Sequence, residues 1–171
     1  MLFRSTETQF VFSPDGAVER IEPVVRNDAH RLIEECMLAA NVCASKFLER
    51  HDVPFLYRVH EGPTPEKLEN LREFLKAMGL SLGGGDKPQP KDYTQVLEAA
   101  RVKPEFALIQ TILLRSLRQA VYSPENAGHF GLAYEAYAHF TSPIRRYPDL
   151  MVHRAINAVL ARRPWQSEKS E

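Results

Sequence analysis

One stretch, residues 128–149, constrains this chain more than any other. It packs aromatics, small residues, two adjacent arginines and an aspartate into one short run. Pro143 fixes its own φ and pushes Ser142 toward extended backbone. Pro148 has no N–H to donate, which the first turn of a helix does not need, so a helix should begin beside it. Leu150, Met151, Ile156, Val159 and Leu160 then recur at roughly helical spacing. The short apolar runs 130–133 and 137–141 read as strands. Arg145 and Arg146 therefore stand at a turn that enters a helix N-terminus. Guanidinium forks beside unpaired backbone N–H groups form a cradle suited to phosphate.

The rest of the chain supplies the frame. Residues 9–12 and 17–21 read as a hairpin around Ser13-Pro14-Asp15-Gly16. A lone hairpin is marginal in water, so it is expected to join a larger sheet, as if the chain began partway through a domain. Asn27 or Asp28 should cap a long helix running to about residue 50. Leu32, Ile33, Cys36, Met37, Ala40, Cys43, Ala44, Phe47 and Leu48 form its broad apolar stripe, with both cysteines buried as small apolar residues. Glu34, Leu38, Asn41 and Ser45 fall on the opposite side. That side is either a plain solvated face or a carboxylate and amide placed to bond a sugar hydroxyl. A strand at 54–60 precedes helices expected at about 65–78, 92–101 and 105–119, and 120–122 is a further strand candidate. Arg115 and Arg118 lie near the C-terminal end of the third of these helices, where cations suit the helix dipole. Gly83-Gly84-Gly85 is a linker, because no Lys-Ser or Lys-Thr follows it.

Composition narrows the chemistry. Lys and Arg together number 22, as do Asp and Glu, so net charge is zero. Any nucleic-acid contact must come from a local patch rather than from overall attraction. The apolar runs are too short to span a bilayer and the first residues lack a signal pattern, which points to a cytoplasmic location. The six histidines are scattered and the aspartates form no D-x-D cluster, so no metal site is evident. Anion-binding equipment stands without a metal site, a nucleophile or a general base.

These residues carry a resemblance. His129-Phe130-Gly131-Leu132, Tyr137-Ala138, Phe140-Thr141-Ser142-Pro143-Ile144-Arg145-Arg146-Tyr147, Asp149 and His153-Arg154 resemble the signature of the RNB catalytic domain of the ribonuclease II and ribonuclease R family. Leu32-Ile33-Glu34-Glu35-Cys36-Met37 with Ala40-Asn41, and Leu113-Leu114-Arg115-Ser116 with Gln119-Ala120, resemble it in the same order, closest to ribonuclease R. The resemblance implies a processive 3′→5′ exoribonuclease that releases nucleoside monophosphates from single-stranded RNA with Mg²⁺. It implies that Arg145 holds the scissile phosphate and that Glu34 contacts the terminal ribose, where a 2′-hydroxyl marks RNA. Arg146, a neighbouring cation with a backbone-contact or structural role, and Tyr147 would contribute to RNA binding, with Asp149, His153, Asn41 and Arg115 in support.

The family holds its metal with four aspartates in the first half of the domain, and that half is absent here. Residues 1–161 are thus expected to be the C-terminal portion of an RNB domain, followed by a polar tail at 162–171. The chain alone is expected to be inactive, with the missing N-terminal half as a possible partner. A non-catalytic RNA-binding remnant and one piece of a split enzyme are the alternatives. The expected fold is α+β and mainly helical, with short antiparallel strands that complete a larger sheet.

Overall fold

A computed structural model describes residues 8–25 and 27–165. It is α+β and mainly helical. Strands β1 (Thr8–Phe12) and β2 (Val18–Pro23) form an antiparallel hairpin. Helix α1 (Asp28–Arg50) follows, then β3 (Tyr57–Val59), α2 (Pro65–Ala77), α3 (Pro90–Ala100), α4 (Phe106–Ser116), β4 (Val121–Ser123) and α5 (Tyr147–Leu160). β3 and β4 pair antiparallel, with Arg58 opposite Tyr122. Among the described residues each sheet has two strands, and β1–β2 leaves Phe10, Phe12, Val18 and Ile21 exposed.

Local chemistry sets the helix ends. Asn27 caps α1, its Oδ1 accepting from the His30 N–H at 3.0 Å. Thr64 caps α2 ahead of Pro65. Lys67 Nζ reaches the carbonyls of Arg115 and Leu117 at 3.3 and 3.1 Å, satisfying acceptors where α4 ends. That end comes earlier than the apolar pattern suggests, because Leu117 turns to extended backbone.

Two apolar clusters form. One joins α2, α3 and α4 through Leu71, Leu75, Tyr93, Val96, Ile109 and Leu113. The other joins α1 and α5 through Ala44, Leu48, Val152 and Ala155, with Phe55 and Ala138. Trp165, within the stretch expected to be a polar tail, packs on this second cluster and donates from Nε1 to the Pro54 carbonyl at 3.0 Å.

His60 clips the two halves together. Its Nδ1 accepts from the Gly131 N–H at 3.0 Å, so Nε2 carries the proton and donates to the Arg118 carbonyl at 2.7 Å. Only glycine fits at 131, since a Cβ there would lie 2.6 Å from His60 Nδ1. Residues 130–133, expected as a strand, instead begin with a 3₁₀ turn at Phe130–Leu132. The cause is a local cap: His129 Nδ1 accepts from the Leu132 N–H at 3.2 Å.

α1 corrects the sequence reading most. Its buried residues are Asn41, Ala44, Ser45 and Leu48, while Leu32, Ile33, Met37 and both cysteines are exposed. The covered face is rotated by roughly 100° from the centre of the apolar stripe, about one residue's turn of the helix. Asn41 and Ser45, assigned to the outer side, are buried instead. Among the described residues nothing covers the N-terminal half of the stripe.

Candidate functional site

The arginine turn is built from the inside outward. Ser142 starts it, its carbonyl accepting from the N–H groups of Arg145 and Arg146 at 3.3 and 3.1 Å. Pro148 lies in the first turn of α5, and Asp149 follows it, fully buried. Asp149 Oδ1 accepts from the Ser142 N–H at 2.8 Å and from Arg146 Nη2 at 2.7 Å. An acid near a helix start often bonds the cap residue's own N–H. Here it reaches farther, across the turn, and fixes where the loop leaves the helix.

The segment before the turn is irregular and joins no sheet among the described residues, against the expectation of a strand at 137–141. Its donors go to side chains instead. Asn41 Oδ1 accepts from the N–H groups of Phe140 and Thr141 at 2.8 and 3.2 Å, and Asn41 Nδ2 donates to Tyr137 Oη at 2.9 Å. On the other side, His153 Nε2 donates to the Phe140 carbonyl at 2.8 Å, and the two rings stack 4.1 Å apart. Both ends of the Asn41 amide are thus engaged inside the protein, and the side chain is buried. Thr141 Oγ1, Arg146 Nε and Asp149 Oδ2 are buried without a protein hydrogen-bond partner. Native interiors leave few such atoms unpaired, so three in one turn mark a place where geometry outranks polar satisfaction.

Arg145 ends up on the outside of this anchored turn. It is exposed, and no ion pair or side-chain hydrogen bond joins it to another described residue. Ile144 and Tyr147 beside it are exposed as well. Arg146 behaves differently, turning its guanidinium inward to Asp149. Glu34 is half-buried on the Asn41 face of α1, seven residues earlier, about 10 Å along the helix axis. The structure thus gathers Asn41, Arg146, Asp149 and His153 around one turn, with Arg145 and Tyr147 presented outward and Glu34 on an adjoining face. Arg115 is not among them. It is exposed on α4 beside Lys67, Asn70 and Ile112.

Sequence reasoning passed over two residues of the surround. Tyr137 is buried against Asn41, and burial raises the pKa of its hydroxyl. His139 is held neutral, its pKa lowered to about 4 by burial and by the Arg146 charge. Burial and the neighbouring His60 lower His129 likewise, to about 4. Their signal was present only as positions inside the motif, because spacing alone cannot show which ring goes inward. No group of three or more His, Cys, Asp and Glu converges among the described residues, so those residues do not fit a Mg²⁺ site. No helix among them is long and apolar enough to cross a membrane.

A family model, RNB domain, matches residues 1–162. The chain belongs to the RNB-domain family. Ribonuclease R of Escherichia coli strain K12 is 52% identical over 160 residues, covering 94% of this chain and 20% of that protein. Ribonuclease R of Thermotoga maritima is 42% identical over 156 residues, 91% of this chain and 22% of its own length. The chain therefore spans about a fifth of the RNB-family relatives it matches. Mycoplasma genitalium RNase R, solved in complex with double-stranded RNA, superposes with a TM-score of 0.85 at 30% identity, covering 94% of this chain and 28% of that one. Yeast Ssd1, described as a pseudonuclease, shares the fold at a TM-score of 0.71 and 22% identity, over 84% of this chain and 18% of its own.

Proposed function

We propose that this chain is the phosphate-gripping portion of a 3′→5′ exoribonuclease that hydrolyses single-stranded RNA to nucleoside 5′-monophosphates. The observation that carries the reading is Arg145, an outward cation with no side-chain partner among the described residues, on a turn fixed by Asn41, Asp149 and His153. A guanidinium so held can bond two oxygens of a phosphodiester and stabilise the extra negative charge that builds as the bond to phosphorus breaks. Arg146 acts beneath it, fixing the turn through Asp149. Glu34 is suited to a ribose hydroxyl, which distinguishes RNA from DNA. Relatives solved with double-stranded RNA and with ribose-methylated single-stranded RNA support an RNA substrate.

Mg²⁺ belongs to this reading as a family expectation, with ligands supplied from outside the described residues. The isolated chain then binds RNA without cutting it. The exposed stripe of Leu32, Ile33 and Met37 on α1 and the bare β1–β2 hairpin favour a chain completed by the other half of an RNB domain, whether in one polypeptide or two. A non-catalytic RNA-binding remnant is the alternative.

The test is made on the purified 171-residue chain. It should bind single-stranded RNA weakly at low salt, lose affinity as salt rises, and release no monophosphate when Mg²⁺ is added. Arg145→Ala should weaken binding similarly for all sequences. Absence of binding at low salt would remove the RNA reading, and Mg²⁺-dependent monophosphate release would refute the catalytic incompleteness.

A further inference from the structure

We propose that Arg58, Tyr122 and His139 form a second RNA-contacting subsite beside the Arg145 turn, in which the Tyr122 ring stacks on one nucleobase and Arg58 takes an adjoining phosphate. The proposal rests on the exoribonuclease reading and adds a place for a further nucleotide of the same strand.

The β3–β4 register sets the pair. Arg58 and Tyr122 are directly opposite, so their side chains share one face of the ribbon. The guanidinium carbon of Arg58 lies 4.7 Å from the centroid of the Tyr122 ring. The phenol and His139 Nδ1 share a hydrogen bond of 2.7 Å, and the two rings meet edge to face at 5.6 Å. Tyr122 is thereby locked at its hydroxyl and covered on one face by a cation. It remains 37% exposed, and no other ring or cation among the described residues lies over it. No carboxylate among the described residues pairs with Arg58, which leaves its charge available to an anion.

The patch connects to the proposed phosphate site along the chain. His139 stands one residue before Phe140, whose N–H is held by Asn41. It also meets Tyr137 edge to face at 5.8 Å. A rigid aromatic plane next to unpaired guanidinium groups is the recurring means of holding single-stranded nucleic acid without reading its sequence. A bond serving only to tie β4 to the loop would not require Arg58 to be unpaired.

The experiment compares a fluorescent single-stranded RNA decamer with the same decamer made abasic, bound to the 171-residue chain at low salt and followed by anisotropy. Tyr122→Leu should lower affinity about tenfold for the base-bearing strand and leave the abasic strand unaffected. Tyr122→Phe, which keeps the ring and loses the bond to His139, should retain most of the base-dependent affinity. In parallel, decamers carrying 4-thiouridine are photocrosslinked to the unaltered chain and the adducts mapped by mass spectrometry, with adducts expected at Tyr122 or His139. Equal effects of Tyr122→Leu on both strands, or adducts confined to other residues, would overturn the subsite. If Arg145→Ala still weakens binding in that case, the broader reading survives. Failure of the unaltered chain to bind either strand would overturn both. Should Tyr122→Leu fail to fold, the adduct map on the unaltered chain decides.

Discussion

Two histidines report on the packing around the turn. His129 and His139 sit in the folded chain with pKa values lowered to about 4, by burial first and then by His60 and Arg146 respectively. In the unfolded chain each would titrate near its ordinary value of about 6.5. Between those limits the unfolded state takes up protons that the folded state refuses. Stability is therefore full above about pH 6.5 and is lost as pH falls toward 4. The urea midpoint should drop from pH 7 to pH 5, and His139→Gln should flatten the decline; a midpoint unchanged over that range would contradict it. Little of this could be read from the sequence. The motif gave the identity of Asn41, Asp149 and His153 but not their bonds. Asn41 looked solvated because an amide on a helix scores as polar. The donors it satisfies belong to residues 140 and 141, about a hundred positions away.

Helices were easier to read than strands, for a physical reason. α1, α2 and α5 announce themselves through caps, prolines and a repeating apolar face, all of which are local. Residues 130–133 and 137–141 have strand-like composition but no strand to pair with. Side chains of His129 and Asn41 take the N–H groups of Leu132, Phe140 and Thr141 instead. α1 shows the limit of periodicity, since its stripe is wider than α5 can cover. The rotation of the covered face has measurable consequences. Leu48→Ala, at a fully buried position, should cost about 3 kcal/mol in urea unfolding, while Ile33→Ala should change stability by under about 0.5 kcal/mol. Cys36 and Cys43, both exposed, should react with a thiol reagent in the native chain without denaturant. Slow reaction until unfolding, or equal costs for the two substitutions, would show that the stripe is covered.

At the scale of the whole molecule, two cores meet at a short β3–β4 ribbon and the His60 clip. The arginine turn belongs to the α1–α5 half, while Arg115 belongs to the three-helix half. Sequence order placed all of these residues in one motif series, and only the packing separates them. The fold class and the family were readable because a long signature carries both. The resemblance separated the expected roles of Arg145 and Arg146, but did not show the reason the two side chains point in different directions, which is set by a buried aspartate. The most direct measurement of that division replaces the matching segment of Escherichia coli ribonuclease R with this chain, to which it is 52% identical. Monophosphate release from single-stranded RNA is then timed with and without Arg145→Ala. Loss of the transition-state contact should lower kcat about a hundredfold or more. A near-normal kcat in the Arg145→Ala chimera would contradict the role assigned to the turn.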